Sequence, residues 1–329
     1  MNIIGPGKFR SRPRLAAVIV LASLLVPYGF SRTASYWRRV SIHTGDVGPT
    51  EGRTDETIRV ACYNIAHGRG LATSNWDGGT FEERKARLQQ IADLLKELDA
   101  DIVVLNEVDF DSSWSLNINQ AQSLATLSGY PYWAEQRNLD FRILAWNWQF
   151  GNAILSKHPI THASELDLPG YSTVEACLAG KKKGLSCTIA HDSGELRIIG
   201  VHLCHRSEEI RVQSAQVIAE IASSDAIPTI VAGDFNSTPT GFPNSQTGPL
   251  GDNAMDVLDA SRVFHRLPEQ PPESPAELTY HSAQPEKTID WILIPKNFRF
   301  IKYHAEDSPL SDHRPVIAEF STKPAASDP

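Results

Sequence analysis

Cysteine is scarce in this chain, with only Cys62, Cys177, Cys187 and Cys204 among 329 residues. No pair has C-x-x-C spacing, so no cysteine-built metal site is indicated. Positive charge is also in short supply. The first thirty residues hold Lys8, Arg10, Arg12 and Arg14 and no acid, so of 31 basic residues 27 remain to face 39 acidic ones, a formal −12. Such a balance is a poor footprint for tight, indiscriminate nucleic-acid binding, although a local basic cleft could persist inside it. No internal repeat is visible. Long apolar runs are missing as well, apart from one near the N-terminus.

That run, residues 15–30, comes after a basic lead at 1–14 and reads as a secretory or signal-anchor segment, placing the rest of the chain outside the cytoplasm as a membrane-anchored or secreted domain. It is slightly short for a span of about 20 residues. Residues 31–56 are polar and serve as a flexible linker. A single domain is expected over 57–322, with a frayed tail at 323–329. Cys177 and Cys187 flank what reads as a hairpin tip, and export would permit a bridge worth about 2–3 kcal/mol there. Cys62 and Cys204 sit in apolar runs and read as small core residues.

The hydrophobic content of 41% fills a sizeable core. Strands are expected at 58–65, 101–108, 150–156, 174–178, 185–190, 196–203, 229–236, 288–295, 298–304 and 315–320. Thr80 and Glu83 form a capping box ahead of a helix whose Leu88, Ile91, Ala92, Leu95 and Leu98 share one stripe. A second capped helix is expected near 207–221. Strand periodicity puts Val103, Leu105 and Glu107 on one face. Helices falling between many strands imply two packed sheets with helices outside.

Strand ends carry the chemistry. The segment around Gly233 delivers Asp234 and Asn236 to one face and Phe235 to the other, and Pro239 ends the strand. A carboxylate that holds a metal or polarises water, beside an amide that donates to an oxyanion, is minimal equipment for hydrolysing a phosphate ester. A carboxylate at the end of an apolar strand costs several kcal/mol if unpaired, so Glu107 is expected to meet a metal. Asn64, His202, Asp290, Asp312 and His313 also fall at strand ends. A lone histidine in a strand is usually a satisfied core residue, but eight such groups at strand ends outweigh that reading.

Residues 58–320 resemble the endonuclease/exonuclease/phosphatase superfamily of deoxyribonuclease-like and sphingomyelinase-like hydrolases. The resemblance rests on Tyr63-Asn64, Leu105-Asn106-Glu107, Val201-His202-Leu203, Gly233-Asp234-Phe235-Asn236, Ile289-Asp290 and Ser311-Asp312-His313. Asn106 stands where many relatives carry Gln. The resemblance implies an α+β fold, a four-layer αββα sandwich of two mixed, mostly antiparallel sheets, with the site at one mouth and Mg²⁺ or Mn²⁺ as cofactor. It implies that Asp290 supports His313 and that Asp312 belongs to the metal side.

The residues point to the same chemistry by themselves. Hard oxygen donors from Asn64 and Glu107 favour a Mg²⁺-type ion. Asp234 would orient or deprotonate water, Asn236 would donate to a non-bridging oxygen, and His202 and His313 would contact the phosphate. Whether His313 or Asp234 takes the water's proton stays open from sequence. Asn152 is a further candidate phosphate donor, and Arg206, Arg211 and Lys181–Lys183 could meet an anionic substrate, although exposed basic residues are usually solvated surface. Trp76 and Trp114 fall on rim loops, and Trp146 and Trp148 read as structural.

Metal-assisted attack of water on a phosphodiester outside the cytoplasm is the expected function, with phospholipid head groups or other small phosphoesters as substrates, a membrane contact through 15–30 and no protein partner. An extracytoplasmic nuclease is the alternative. An inactive binding module of the same fold is the third reading.

Overall fold

The computed structural model describes residues 12–37, 39–46, 48, 56–143, 146–172, 180–224 and 226–323. Seven strands form one sheet in the order β1 (Val40–Thr44), β4 (Tyr132–Ile143), β5 (Trp146–Ser156), β3 (Ile102–Asp109), β2 (Thr57–Asn64), β13 (Val316–Ser321) and β12 (Arg299–Ala305). Six form the other, in the order β10 (Phe264–Arg266), β11 (Asp290–Pro295), β9 (Thr229–Asp234), β8 (Gly194–His202), β7 (Lys183–His191) and β6 (Ile160–Asp167). The β2–β3 and β8–β9 pairs are parallel and the others antiparallel. Both sheets are therefore mixed, as expected.

Three apolar layers hold the sheets and helices together. Between the sheets lie Val60, Cys62, Val104, Ile154, Ile198, Ile230, Ala232 and Ile292, all fully buried. On the outer face of the first sheet, Val103 and Leu105 pack against Leu88, Ile91 and Leu95 of α2 (Phe81–Leu98) and Leu124 of α3 (Gln120–Ser128). Outside the second sheet, Val201, Val231 and Trp291 pack against Val212, Ala215 and Ile218 of α4 (Glu208–Ser224) and Met255 and Leu258 of α5 (Ala254–Ala260). Each large aliphatic buried this way contributes roughly 1.5–3 kcal/mol. The result is the αββα stack.

The α2 stripe and its capping box form as read: the Glu83 N–H donates to Thr80 Oγ1 at 3.3 Å, and the Thr80 N–H donates to Glu83 Oε2 at 2.7 Å. Other segments needed tertiary information. β1 lies inside the stretch expected to be a flexible linker, because Val40–Thr44 pairs along β4 and ends the sheet. The strand expected at 174–178 and the Cys177 partner lie outside the described residues. Cys187 is a free, buried thiol on β7, as are Cys62 and Cys204 in their own positions. The apolar run at 15–30 falls in α1 (Arg12–Trp37), which contains Pro27. No helix among the described residues is long and apolar enough to cross a membrane, so the membrane contact through 15–30 is not supported.

Candidate active site

Strand periodicity builds one mouth between the sheets. On β2 the inter-sheet residues run Val60, Cys62, then Asn64; on β8 they run Ile198, Gly200, then His202; on β9 Ile230, Ala232, then Asp234. β11 enters the same layer with Asp290 ahead of Ile292. The register fixes these ends side by side, His202 opposite Asp234 and Asp234 opposite Asp290. Phe235 goes to the helical side, as the alternation requires.

Gly233 is needed at this junction. Its φ is +136°, and a Cβ there would stand 2.1 Å from the Val201 carbonyl oxygen. β9 and β8 approach more closely than any side chain permits. Asn236, at φ 51°, curls the chain back so that its N–H donates to Asp234 Oδ1 at 2.8 Å. Its side-chain amide donates to the Leu203 carbonyl at 3.2 Å.

Glu107 reaches the mouth by a different route. Simple alternation would send it with Val103 and Leu105 toward α2, but the β3–β5 register slips between Leu105 and Val108, and Glu107 takes φ 51°. This bulge re-aims the carboxylate into the inter-sheet cavity and corrects the expected face. Asn106 keeps the inter-sheet direction. Its Oδ1 accepts from the Asp234 N–H at 3.0 Å, and its amide donates to Asn152 Oδ1 at 2.8 Å. Asn152 is fully buried and donates to Gln136 Oε1 and the Lys183 carbonyl. It does not face the cavity; the expected substrate contact is replaced by a brace between the two sheets.

The cavity, about 390 Å³, is lined by Arg69, Glu107, Lys182, His202, His205, Asp234, Asn236, Tyr280, Lys287, Asp312 and His313 among others. His202 Nε2 lies 3.5 Å from Asp234 Oδ2 and 3.9 Å from Glu107 Oε1. His313 Nε2 lies 3.8 Å from Asp234 Oδ2, while its Nδ1 meets Asp290 Oδ2 at 2.9 Å. Asn64 and Asp290 sit behind this lining. Asn64 Oδ1 accepts from the Ala66 N–H at 3.0 Å, and its amide donates to Asp234 Oδ2 at 3.1 Å. Asn64 thus holds Asp234 with its amide, while its Oδ1 is turned to the Ala66 N–H.

The cationic groups lining the site include Arg69, which the sequence does not single out, and Lys182, one of the lysines that it offers to an anionic substrate. The Arg69 guanidinium bridges the metal-side carboxylates, donating to Glu107 Oε2 at 3.2 Å and Asp312 Oδ2 at 3.0 Å. Lys182 Nζ lies 3.0 and 2.9 Å from the His202 ring nitrogens, so this lysine is part of the site and not solvated surface. Arg211 is buried in an ion pair with Glu208 away from the cavity. His67 was also missed: its Nδ1 meets Asp109 at 2.8 Å and its Nε2 lies 3.4 Å from Glu107. A signal was present, since 67–70 places His, Gly, Arg and Gly directly after the first site strand.

Charge coupling sets protonation states. Burial disfavours the His313 cation, but Asp290, Asp234 and Asp312 outweigh it and push His313 up to about 10. Burial lifts Asp234, His313 pulls it back and Asp290 lifts it again, leaving it at about 6. Burial also opposes the Glu107 charge, yet His67, His202, Lys182 and Arg69 hold it well below the ordinary carboxylate range. Burial and then Lys182 press His202 well below 6.5, keeping it neutral.

Two groups of donors are candidates for a metal. Asp234, Asp290 and His313 bring ligand atoms within 4.8 Å of one another. Asp290 is already spent on His313, its hydrogen-bond partner, with Asp234 at ion-pair distance from the same ring. Glu107 and Asp312 instead converge on a single cation, the Arg69 guanidinium, and offer only hard oxygens. This donor set fits a Mg²⁺-type ion.

The family's sequence profile matches residues 61–313, and the chain belongs to the endonuclease/exonuclease/phosphatase family. Its fold is similar to that of the endonuclease/exonuclease/phosphatase from Beutenbergia cavernae DSM 12333, at 20% identity and a TM-score of 0.63, covering 83% of this chain and 74% of that one. It is also similar to the mannosyl-6-phosphatase of Bacteroides thetaiotaomicron VPI-5482, at 16% identity and a TM-score of 0.56, covering 80% and 99%. The human Nocturnin catalytic domain aligns at 18% identity with a TM-score of 0.54, covering 86% and 97%. No curated protein sequence matches. Family and fold together support hydrolysis of phosphoesters, in a family that typically depends on divalent metals.

Proposed function

We propose that this protein is a divalent-metal-dependent phosphodiesterase acting outside the cytoplasm. The observation that carries the reading is the shared cation position of Glu107 and Asp312, facing the Asp234–His313 pair across one cavity. Mg²⁺ or Mn²⁺ held by those two carboxylates would polarise the phosphoryl oxygen and offset its charge.

The remaining steps fall to the chain's own groups. Asp234, oriented by the Asn64 amide and the Asn236 N–H, receives the proton of the attacking water. His313 is already protonated between Asp290 and Asp234, so its Nε2–H donates to a phosphoryl oxygen instead of accepting from water. This choice between Asp234 and His313 rests on the coupled charges. Neutral His202 and the Lys182 ammonium meet the phosphate from the second sheet. Asn236 keeps one amide hydrogen for a non-bridging oxygen.

A cavity of about 390 Å³ between the Lys182–His205 and Tyr280–Lys287 walls leaves room for ester groups on both sides of phosphorus, which supports a diester. Phospholipid head groups and small diesters suit an acidic domain. The cationic lining from Arg69, Lys182 and Lys287 favours nucleic acid as a second reading. The basic lead and apolar run at the N-terminus support an extracytoplasmic location, which protease accessibility in intact cells would test.

The deciding assay offers bis-(p-nitrophenyl) phosphate, p-nitrophenyl phosphate, sphingomyelin, phosphatidylinositol phosphates and duplex DNA with Mg²⁺ and then with chelator. Diester turnover that stops on chelation is expected. Preference for the monoester would make the protein a phosphatase like the mannosyl-6-phosphatase of the same fold. Absence of turnover on all five would leave the inactive binding module.

A further inference from the structure

Arg69 occupies an unusual place for a surface-loop arginine. Its side chain is only 13% exposed, and its Nη1 and Nη2 donate to Glu107 and Asp312, the two carboxylates that the proposed function gives to a metal. The loop that carries it is fixed from several sides. Ala66, His67, Gly68 and Gly70 all have positive φ, the Gln120 amide donates to the His67 carbonyl, and the Arg87 guanidinium donates to the Gly68 carbonyl. Gly70 also bridges to Ser311, beside Asp312. Arg69 Nε donates to the Ala72 carbonyl at 2.7 Å, which anchors the stem of the fork. Left-handed backbone at three successive residues is costly and persists where the surroundings dictate it. The loop is built to put a guanidinium between these carboxylates.

We infer that Arg69 is the resident counter-cation of the metal seat, that metal and guanidinium compete for Glu107 and Asp312, and that loading the metal frees Arg69 Nη1 and Nη2 to bind the phosphoryl group. The inference deepens the proposed function and rests on it. Two like charges cannot share one pair of carboxylates without mutual repulsion, so an incoming divalent ion weakens both Arg69 ion pairs. A planar fork released beside the reaction centre matches two phosphoryl oxygens. Glu107 keeps its second neighbour throughout, since His67 is pinned by Asp109 and not by the metal side. Arg69 thereby balances the site before loading and recognises substrate after it.

The competition gives a prediction opposite in sign to that for an ordinary structural ion pair. Calorimetric titration of Mn²⁺ alone into the full chain compares wild type, Arg69→Gln, Arg69→Met and Arg69→Lys, with melting curves to verify folding. Both neutral variants are expected to bind Mn²⁺ at least about tenfold more tightly than wild type, with Arg69→Lys close to wild type. At saturating Mn²⁺ the neutral variants are expected to lose about a hundredfold in diester turnover. Equal or weaker Mn²⁺ binding in a folded neutral variant overturns the inference, as does failure of every variant to bind Mn²⁺. Should wild type bind Mn²⁺ and hydrolyse no phosphoester, the proposed function fails while the affinity comparison still decides the role of Arg69.

Discussion

His313 is held between two carboxylates, with Nδ1 committed to Asp290 and Nε2 directed at Asp234. Replacing it by Ala removes a donor at the reaction centre and leaves Asp290 buried without its partner, so turnover is expected to fall by about 10²–10⁴-fold and the melting temperature to fall with it. Asp290→Asn tests the cause of its protonation. The folded value near 10 lies above the ordinary 6.5, so the pair's contribution to stability is complete below pH 6.5 and is lost as pH rises through about 10. Asp290→Asn is expected to move the alkaline limb of the rate profile downward, and an unmoved limb would dissociate Asp290 from His313. Gly233 is a second single-residue constraint. Gly233→Ala puts a Cβ against the Val201 carbonyl at φ +136°, and a loss of roughly 3 kcal/mol or more is expected from urea denaturation.

Strand faces explain most of what could be read in advance and the bulge explains the main error. Asn64, His202, Asp234 and Asp290 continue the period-two pattern of the apolar residues beside them, so their convergence was legible from alternation alone. Alternation puts Glu107 on the α2 face, whereas the bulge turns it into the cavity, because an inserted residue leaves no mark in a run such as 102–109. Asn152 carried the right residue type for a phosphate donor, yet its partners Gln136, Lys183 and Asn106 come from three separate segments that only the folded sheets bring together. Likewise Val40–Thr44 has no hydrophobic alternation strong enough to announce β1 without β4 beside it. The Asn106 brace has a measurable role. Asn106→Ala strands the buried Asp234 N–H and Asn152 Oδ1, which is expected to cost about 1–3 kcal/mol. Because Asp234 then loses its backbone anchor, turnover should fall further than substrate affinity, a split that steady-state kinetics would expose.

At the scale of the whole chain, α1 and β1 differ in what they contribute. On α1, Leu15, Val18 and Ile19 are 62%, 61% and 59% exposed, and its described ring contact with the domain is Tyr28 against Phe141 of β4. By contrast β1 pairs with β4 from Val40 to Thr44, His43 stacks on Trp133 with ring centroids 5.1 Å apart, and Arg39 just ahead of it reaches Glu165 of β6 at 3.3 Å. Those contacts tie the edges of both sheets together near the end of the sandwich. Because α1 also packs along β4, deleting residues 1–38 is expected to lower the melting temperature less than a deletion that also removes β1, and to leave soluble-substrate turnover nearly unchanged. Deleting residues 1–45 unpairs β4 and removes the Arg39 bridge, and a loss near 2 kcal/mol would lower the melting temperature by about 4–8 °C. The cavity lies at the strand ends bearing Asn64, His202 and Asp234, and none of its lining residues comes from β1 or β4. Turnover per folded molecule at low temperature should consequently survive the longer deletion. If instead it vanished while calorimetry showed a folded domain, the site would depend on the edge strand in a way that its lining does not indicate.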